Sequence, residues 1–88
     1  MIYDVVWYGD AFRNLEKIWD EITPLAPADA AFDEIERRLT KSPETEGESR
    51  PDGRRILTLP PLGVLFRPQP RLKEVYVLKV WYIRPRHR

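Results

Sequence analysis

The carboxyl-terminal part of the chain concentrates basic and aromatic side chains. Its basic residues are Arg54, Arg55, Arg67, Arg71, Lys73, Lys79, Arg84, Arg86 and Arg88, and they alternate with Phe66, Tyr76, Trp81 and Tyr82. On a small sheet this mixture suits single-stranded RNA, because arginine holds phosphates and aromatic rings stack on unpaired bases. Alternatively, the aromatic residues form the core and the arginines keep the sheet soluble. The second interpretation is the better one for Tyr76, whereas Trp81 and Tyr82 fit both.

The charge is divided unevenly along the 88 residues. Residues 1–52 carry 13 acidic and 6 basic side chains, whereas residues 53–88 carry 9 basic side chains and the single acidic residue Glu74. A division of this kind concerns partners more than fold. Two arrangements fit it: an acidic helical layer that neutralises a basic sheet, or a basic surface for phosphates with the acidic half facing elsewhere.

Several kinds of chemistry are excluded by what the sequence lacks. It has no cysteine, so neither a disulfide scaffold nor a thiolate metal site can form. It also has no glycine-rich phosphate loop, paired-histidine metal motif or serine elbow. The single histidine, His87, lies in a basic tail and is expected to be exposed. The acidic residues Glu44, Glu46 and Glu48 are typical of a solvated loop. We therefore predict no metal and no cofactor.

The first half of the chain predicts one strand and two helices. Residues 2–8 are rich in β-branched and aromatic residues on both faces, which indicates a strand well inside a sheet. Asp10 is a good N-cap for a helix that ends at Thr23-Pro24. Its apolar stripe comprises Phe12, Leu15, Ile18, Trp19 and Ile22. A second helix is predicted from Pro27 to Thr40, and the short connection predicts an antiparallel helical hairpin.

The second half predicts a loop and three strands. Residues 42–53 are polar and rich in Pro, Gly and Glu, which indicates a flexible loop. The strands "RRILTLP", "LGVLFRP" and "KEVYVLKVWYIR" follow, and residues 85–88 form a basic tail. Strict alternation along the last strand predicts a core face and a partly open face. The predicted core face holds Tyr76, Leu78, Val80 and Tyr82, and the predicted open face holds Val75, Val77, Lys79, Trp81 and Ile83.

Together these elements predict a single α+β domain over residues 1–88. Their order is β-α-α-β-β-β, with a helical hairpin packed on one face of a mainly antiparallel sheet. No apolar run approaches the roughly 20 residues that a membrane helix needs. The amino-terminal "MIYDVVWYGD" also lacks the basic region of a signal peptide. We therefore expect a cytoplasmic protein without a membrane association.

The whole pattern resembles the RelE/ParE-type toxins of bacterial toxin–antitoxin modules. The resemblance runs through "IYDVVWY", "DAFRNLEKIWDEI", "PADAAFDEIERRL", "RRILTL", "LGVLFRP" and "VYVLKVWYI". It implies either an mRNA endonuclease that acts on the ribosome without a metal, as RelE-like members do, or an inhibitor of DNA gyrase, as ParE-like members are. It also implies a cognate antitoxin as a partner.

For an RNA endonuclease, the resemblance points to specific residues. Arginines would stabilise the charge that develops on the scissile phosphate, and a tyrosine or basic group would assist proton transfer. The expected catalytic residues are Arg55, Arg67, Tyr82 and Arg84, and the expected nucleic-acid-binding residues are Arg54, Lys79, Trp81 and Arg86. The family commonly begins its middle strand with an aromatic–arginine pair, and here that pair is Leu62-Gly63. The competing hypothesis is a non-catalytic binding protein that keeps the toxin fold and acts through a protein partner.

Overall fold

The computed structural model describes residues 2–22 and 26–84. The elements within these ranges are β1 (Asp4–Trp7), α1 (Gly9–Glu21), α2 (Ala26–Lys41), β2 (Glu48–Ser49), β3 (Arg55–Leu59), β4 (Leu62–Gln69) and β5 (Glu74–Tyr82). The predicted order β-α-α-β-β-β is confirmed, and the two-residue strand β2 is added to it. The predicted helix stop at Thr23-Pro24 and the predicted basic tail lie outside the described residues.

The five strands form one sheet in the order β1-β5-β4-β3-β2. All neighbours are antiparallel except β1, which runs parallel to β5. The two helices lie between β1 and β2 in the sequence and cover one face of this sheet, which we call the helix face; the opposite face is the open face. The architecture is α+β, as the order of the elements predicted.

The core lies between the helices and the helix face of the sheet. Helix α1 contributes Ala11 and Ile18, and α2 contributes Ala28, Ala31, Ile35 and Leu39. The fully buried residues of β4 are Leu62, Val64 and Phe66, which alternate along the strand as a half-buried strand requires. The buried stripe of α1 begins at Ala11 rather than Phe12, whose side chain is 53% exposed.

A β-bulge changes the phase of β5. Lys79 lies opposite Leu65 and Val77 lies opposite Phe66, so Leu78 is an extra residue on this strand. A bulge interrupts the strict alternation of side chains. As a result Val75, Val77 and Val80 are all buried against the helices, whereas Leu78 is only partly buried. The predicted core face was therefore wrong for Tyr76 and Leu78, and the predicted open face was wrong for Val75 and Val77.

Strand β1 forms an edge of the sheet, although the sequence predicted a position well inside it. Its apolar residues are explained by α2, which packs on the side that faces the helices. The ring of Trp7 lies 5.3 Å from that of Phe32, and Trp7 Nε1–H donates a hydrogen bond to Glu36 at 2.7 Å. Helix α1 begins directly after this strand at Gly9, with Tyr8 in the N-cap position. Asp10 therefore lies in the first turn, where it pairs with Arg13, instead of acting as the N-cap.

The loop between α2 and β3 has contacts along its length. Tyr3 donates to Glu44 at 2.6 Å, and this hydrogen bond raises the pKa of Tyr3. Strand β2 then pairs with β3, and residues 51–53 form a short 3-10 turn. Gly47 has a φ of 71°, and a side chain at this position would collide with the backbone of Ile56. The flexibility expected for residues 42–53 stays a prediction, and these contacts define where it can be measured.

Candidate functional site

The four expected catalytic residues do not lie together. Residues directly opposite each other in an antiparallel pair share a face of the sheet. Arg55 lies opposite Phe66 and Tyr82 lies opposite Leu62, so both belong to the helix face. Arg67 lies opposite Tyr76, on the open face. The sheet itself therefore separates Arg55 from Arg67, and no single substrate phosphate can contact both.

Both of these arginines bind the backbone of the loop that precedes β3. Arg55 donates from Nε to the carbonyl oxygen of Glu46 at 2.7 Å and from Nη2 to that of Gly47 at 3.0 Å. Arg67 donates from Nη2 to the carbonyl oxygen of Asp52 at 2.8 Å. Carbonyl oxygens of this kind need partners when they are partly buried. The two guanidinium groups are thus already engaged in holding one loop from opposite faces of the sheet.

Tyr82 and Arg84 lie at the end of β5, next to the last turns of α1. They line a cavity of about 190 Å³ with Ile18, Glu21 and Trp81. Arg84 is exposed and Tyr82 is partly buried against the core. Lys17 also lines this cavity, so its charged side chains are Lys17, Glu21 and Arg84. Arg86, expected to bind nucleic acid, lies outside the described residues.

Gly63 and Trp81 form a close pair on the open face. They lie directly opposite each other on β4 and β5, and the indole ring of Trp81 covers the glycine. A Cβ atom added at position 63 would lie 2.5 Å from two atoms of that ring, far inside van der Waals contact. Trp81 keeps 37% of its surface exposed, so the ring covers the strand without entering the core. A side chain of any size at position 63 therefore requires Trp81 to move.

The bulge at Leu78 opens a different kind of site farther along the same two strands. Leu78 and Lys79 both line one cavity of about 460 Å³, together with Leu65 from β4. Arg54 directly precedes β3, Tyr8 is in the N-cap position of α1, and Arg13 lies in that helix. We call this site the Lys79 pocket and define it by Tyr8, Arg13, Arg54, Leu65, Leu78 and Lys79. The sequence interpretation included Arg54 and Lys79 but missed Tyr8, Arg13 and Leu78, because strict alternation predicted Leu78 on the core face.

Aromatic stacking supports one wall of the Lys79 pocket. The rings of Tyr8 and Tyr76 stack with centroids 5.1 Å apart and an interplanar angle of 22°. The hydroxyl of Tyr76 donates to Glu74 at 2.7 Å, and this hydrogen bond raises the pKa of Tyr76 above its usual value. Tyr76 is therefore fixed from two sides on the open face. Its ring orients Tyr8, whose surface is 45% exposed.

Helix α1 presents a second exposed surface, made of apolar residues with an acidic rim. Phe12, Leu15 and Trp19 lie on one side of the helix, and Glu16 and Asp20 lie beside them along a cavity of about 340 Å³. The ring of Trp19 makes an edge contact with Phe32 of α2, with centroids 5.8 Å apart. We call these five residues the α1 flank. The sequence predicted Phe12, Leu15 and Trp19 in the apolar stripe of the helix. Leu15 and Trp19 pack against the core, whereas Phe12 is exposed.

Neither a metal cluster nor a membrane span is found in residues 2–22 and 26–84. No group of three or more His, Cys, Asp or Glu residues in these ranges could hold a metal ion. No helix in the described part of the chain is long and apolar enough to cross a membrane.

Comparison with known proteins gives matches at the level of structure. No protein-family model and no curated protein matches the sequence. The toxin–antitoxin complex RelBE2 from Mycobacterium tuberculosis contains a similar chain, with a TM-score of 0.73 and 23% identity over 93% of this chain and 99% of that chain. A chain of the chromosomal ParDE toxin–antitoxin system of P. aeruginosa gives a TM-score of 0.69 and 25% identity over 94% of this chain and 98% of that chain. A RelE toxin of E. coli gives a TM-score of 0.67 and 15% identity over 93% of this chain and 84% of that chain.

The chain has a RelE/ParE-type toxin fold. The similarity covers nearly the whole of this chain and of its first two neighbours, so the toxin fold is present without a large insertion or deletion. Within this fold, the position where RelE-like enzymes are expected to carry an arginine is Gly63 beneath Trp81. The toxin fold is thus kept, and the ring of Trp81 covers the backbone at Gly63.

Proposed function

We propose that this chain is a toxin of a toxin–antitoxin module that acts by binding a protein partner and does not cleave RNA. The fold it shares with RelBE and ParDE chains supports the first part. The Gly63–Trp81 pair is the observation that carries the second part. Cleavage without a metal needs fixed positive charge beside the reacting phosphate, because the charge that develops there must be stabilised in place.

The positions of the remaining arginines support the same proposal. Arg67 is on the covered strand, but its guanidinium donates to Asp52 and its Nε atom is buried without a hydrogen-bond partner among the described residues. Arg55 is on the helix face and holds Glu46 and Gly47. Releasing Arg55 toward a substrate would leave the partly buried carbonyl of Glu46 without its donor, which carries a free-energy cost, and Arg67 would have to give up its bond to Asp52. Neither is therefore a preorganised ligand for phosphate.

We propose the α1 flank as the surface that binds the antitoxin. Three large apolar side chains lie there, with Phe12 more than half exposed, and Glu16 and Asp20 border them. Exposed apolar residues with a polar rim are typical of protein-binding surfaces. The acidic rim selects a partner segment that combines apolar and basic side chains. A helix with this composition would bury Phe12 and place its cations against the two carboxylates.

Induced expression in a bacterial host tests the toxin and its mode of action together. We expect growth arrest with intact messages, because Trp81 covers Gly63 and loop carbonyls already hold Arg55 and Arg67. Growth, translation and message integrity should be followed in the same cultures. DNA gyrase is the first protein target to assay, since the resemblance to ParE-type toxins implies it. The measurement is supercoiling activity in the presence of the purified chain.

Matched variants separate the two mechanisms. Arg67→Ala and Arg84→Ala should leave any arrest in place if no RNA chemistry occurs, provided that the proteins remain soluble. Message cleavage that disappears in either variant would instead establish an endonuclease. Unaffected growth with verified soluble protein would contradict a toxin of either kind. Phe12→Asp should weaken capture of the product of an adjacent antitoxin reading frame, whereas Arg50→Asp on the distant β2 edge should not.

A further inference from the structure

We propose that the Lys79 pocket binds a free mononucleotide, with its phosphate on Lys79, Arg13 and Arg54 and its base against Tyr8. The pocket shares no lining residue with the α1 flank, although both include residues of α1, and it does not depend on the partner-binding function proposed above. Nothing in the toxin fold as such requires it, because the pocket exists only where the bulge at Leu78 brings two consecutive side chains to one cavity.

The charges of the pocket come from three separate elements. Lys79 is on β5, Arg54 precedes β3, and Arg13 is in α1. Within the described ranges Lys79 is exposed and its ammonium group has no hydrogen-bond or ion-pair partner. Arg54 donates from Nε to the carbonyl oxygen of Pro51 at 3.2 Å, and its Nη2 lies 3.9 Å from Asp52. Arg13 pairs with Asp10, which also lines the pocket, so three cations face one carboxylate.

This excess of positive charge suits a doubly charged phosphate monoester. Arginine and lysine both bind phosphate, the first through its planar fork and the second as a point charge. Gly9 and Asp10, from the first turn of α1, also line the cavity. The backbone N–H groups of a first turn have no partner within the helix, and no side chain caps this one. These groups add to the field of the three cations without carrying the site by themselves.

The apolar part of the pocket suits a flat ring. Leu65 and Leu78 are both partly exposed and line the cavity, and Tyr8 borders it. The ring of Tyr8 is held by stacking on Tyr76, which the hydrogen bond to Glu74 fixes in turn. A base that stacks on such a preorganised ring loses little conformational freedom in doing so. The cavity of about 460 Å³ is of the size that small-molecule sites have.

The surroundings favour a single nucleotide over a strand. A strand would need a continued series of cations and rings along the open face. On one side of the pocket Arg67 is already bonded to Asp52, and Glu74 lies in the same region of the sheet. On the other side the ring of Trp81 covers Gly63 on its own strand pair. Three cations from separate elements line this one cavity, and neither neighbouring position continues it along the open face.

Titration calorimetry with adenosine 5′-monophosphate tests the site on the full chain. We expect saturable binding at concentrations up to about 1 mM. Lys79→Gln should weaken it about tenfold, as expected for the loss of one charge-assisted contact. Tyr8→Leu should weaken binding of the nucleotide but leave binding of inorganic phosphate unchanged. Tyr8→Phe keeps the aromatic ring and should therefore keep the affinity for the nucleotide. Lys41→Gln, at the distant end of α2, is the matched control and should have no effect.

Other ligands in the same experiment decide whether the assignment holds. Unphosphorylated adenosine should bind much more weakly than the nucleotide, and equal binding would overturn the role of the cations. Affinity that rises with each nucleotide added to a 5′-phosphorylated RNA would indicate a strand-binding surface and contradict a single-nucleotide site. A glutamate-rich peptide that binds while the nucleotide does not would also contradict it. Lys79 is exposed, so circular dichroism of Lys79→Gln should show an unchanged fold.

Discussion

One end and the middle of the β4–β5 pair differ sharply on the open face of the sheet. At one end Gly63 lies beneath Trp81, and the strand surface is closed. In the middle of β5 the bulge at Leu78 turns Leu78 and Lys79 toward one cavity with Arg54 and Arg13 beside it. The same two strands therefore carry one covered position and one open, positively charged pocket. A glycine and a single extra residue are sufficient to make this difference.

The comparison shows that basic residues alone do not define a site. Arg67 lies beyond Leu65 on β4, on the side of the Lys79 pocket away from Gly63, and has the charge that phosphate chemistry requires, but a loop carbonyl holds its guanidinium. Lys79 has no such partner in the described part of the chain and is exposed. What a cation can do depends on the hydrogen bonds it already makes, because a bound guanidinium must give up one partner before it gains another.

The largest expected effect tests the bulge at Leu78. Val77→Ala should lower the free energy of unfolding by about 2 kcal/mol, because Val77 is fully buried. Leu78→Ala should cost less than about 1 kcal/mol although leucine is larger, since its side chain is partly exposed. Urea unfolding of both variants measures the difference. A greater cost for Leu78→Ala would indicate strict alternation of side chains in β5 and would contradict the bulge.

The next largest effect concerns Gly63 beneath the ring of Trp81. Gly63→Ala should destabilise the chain by about 1–2 kcal/mol, because the new methyl group displaces the ring of Trp81. In a Trp81→Ala background the same change should become neutral or stabilising, since glycine in a strand is otherwise unfavourable by roughly 0.5–1 kcal/mol. A double-mutant cycle by urea unfolding gives the coupling, and Thr58→Ala, opposite Gly63, serves as the control. Additive effects would mean that the ring does not cover position 63.

A smaller effect distinguishes a structural arginine from a catalytic one. Arg55→Ala should cost about 1 kcal/mol and speed amide exchange in residues 44–49, because two loop carbonyls lose their donors. Arg50→Ala is the matched control: Arg50 is exposed, and its bonds to Glu48 and Ser49 join immediate neighbours. Unchanged exchange in Arg55→Ala would show that this guanidinium does not hold the loop.

The smallest effect lies in the aromatic wall of the Lys79 pocket. The hydrogen bond to Glu74 raises the pKa of Tyr76, so Glu74→Ala should bring that pKa back toward 10. A raised pKa means that the associated stability is present below pH 10 and is lost as the pH rises through the folded-state value. Ultraviolet titration of tyrosine ionisation measures the shift. Tyr8→Phe should lower the pKa less, because Tyr8 is the weakest of the contributing groups.

The fold could be predicted because its signals are local and repeated. Helical spacing in both helices, turn residues between the strands and the order of the elements all point to one α+β architecture. The helix stripe correctly placed Ile18 in the core, and the strand pattern correctly placed β3, β4 and β5 in order. The edge position of β1 could not be predicted, because its apolar residues are covered by α2 and not by a second neighbouring strand.

The candidate site could be predicted only in part. The sequence identified Arg54 and Lys79 as candidates, but it assigned the faces of β5 by alternation, and a bulge has no reliable signature in a run such as Val75–Val80. It could not show that Arg55 and Arg67 lie on opposite faces, since this depends on the register of β3 against β4. The sequence indicated that Gly63 stands where the resemblance predicts an arginine. It could not show that the ring of Trp81, 18 residues away in the chain, covers this glycine.

Mapping the 5′ ends of cellular messages after induction tests the central claim most directly. If the chain acts by binding a protein, as proposed, cells arrested by it should show the same message ends as uninduced cells, because Trp81 covers Gly63 and loop carbonyls already hold Arg55 and Arg67. A catalytically active RelE-type toxin expressed in parallel provides the positive control for cleavage. New message ends that appear on induction of this chain and disappear in Arg67→Ala would contradict the protein-binding mechanism.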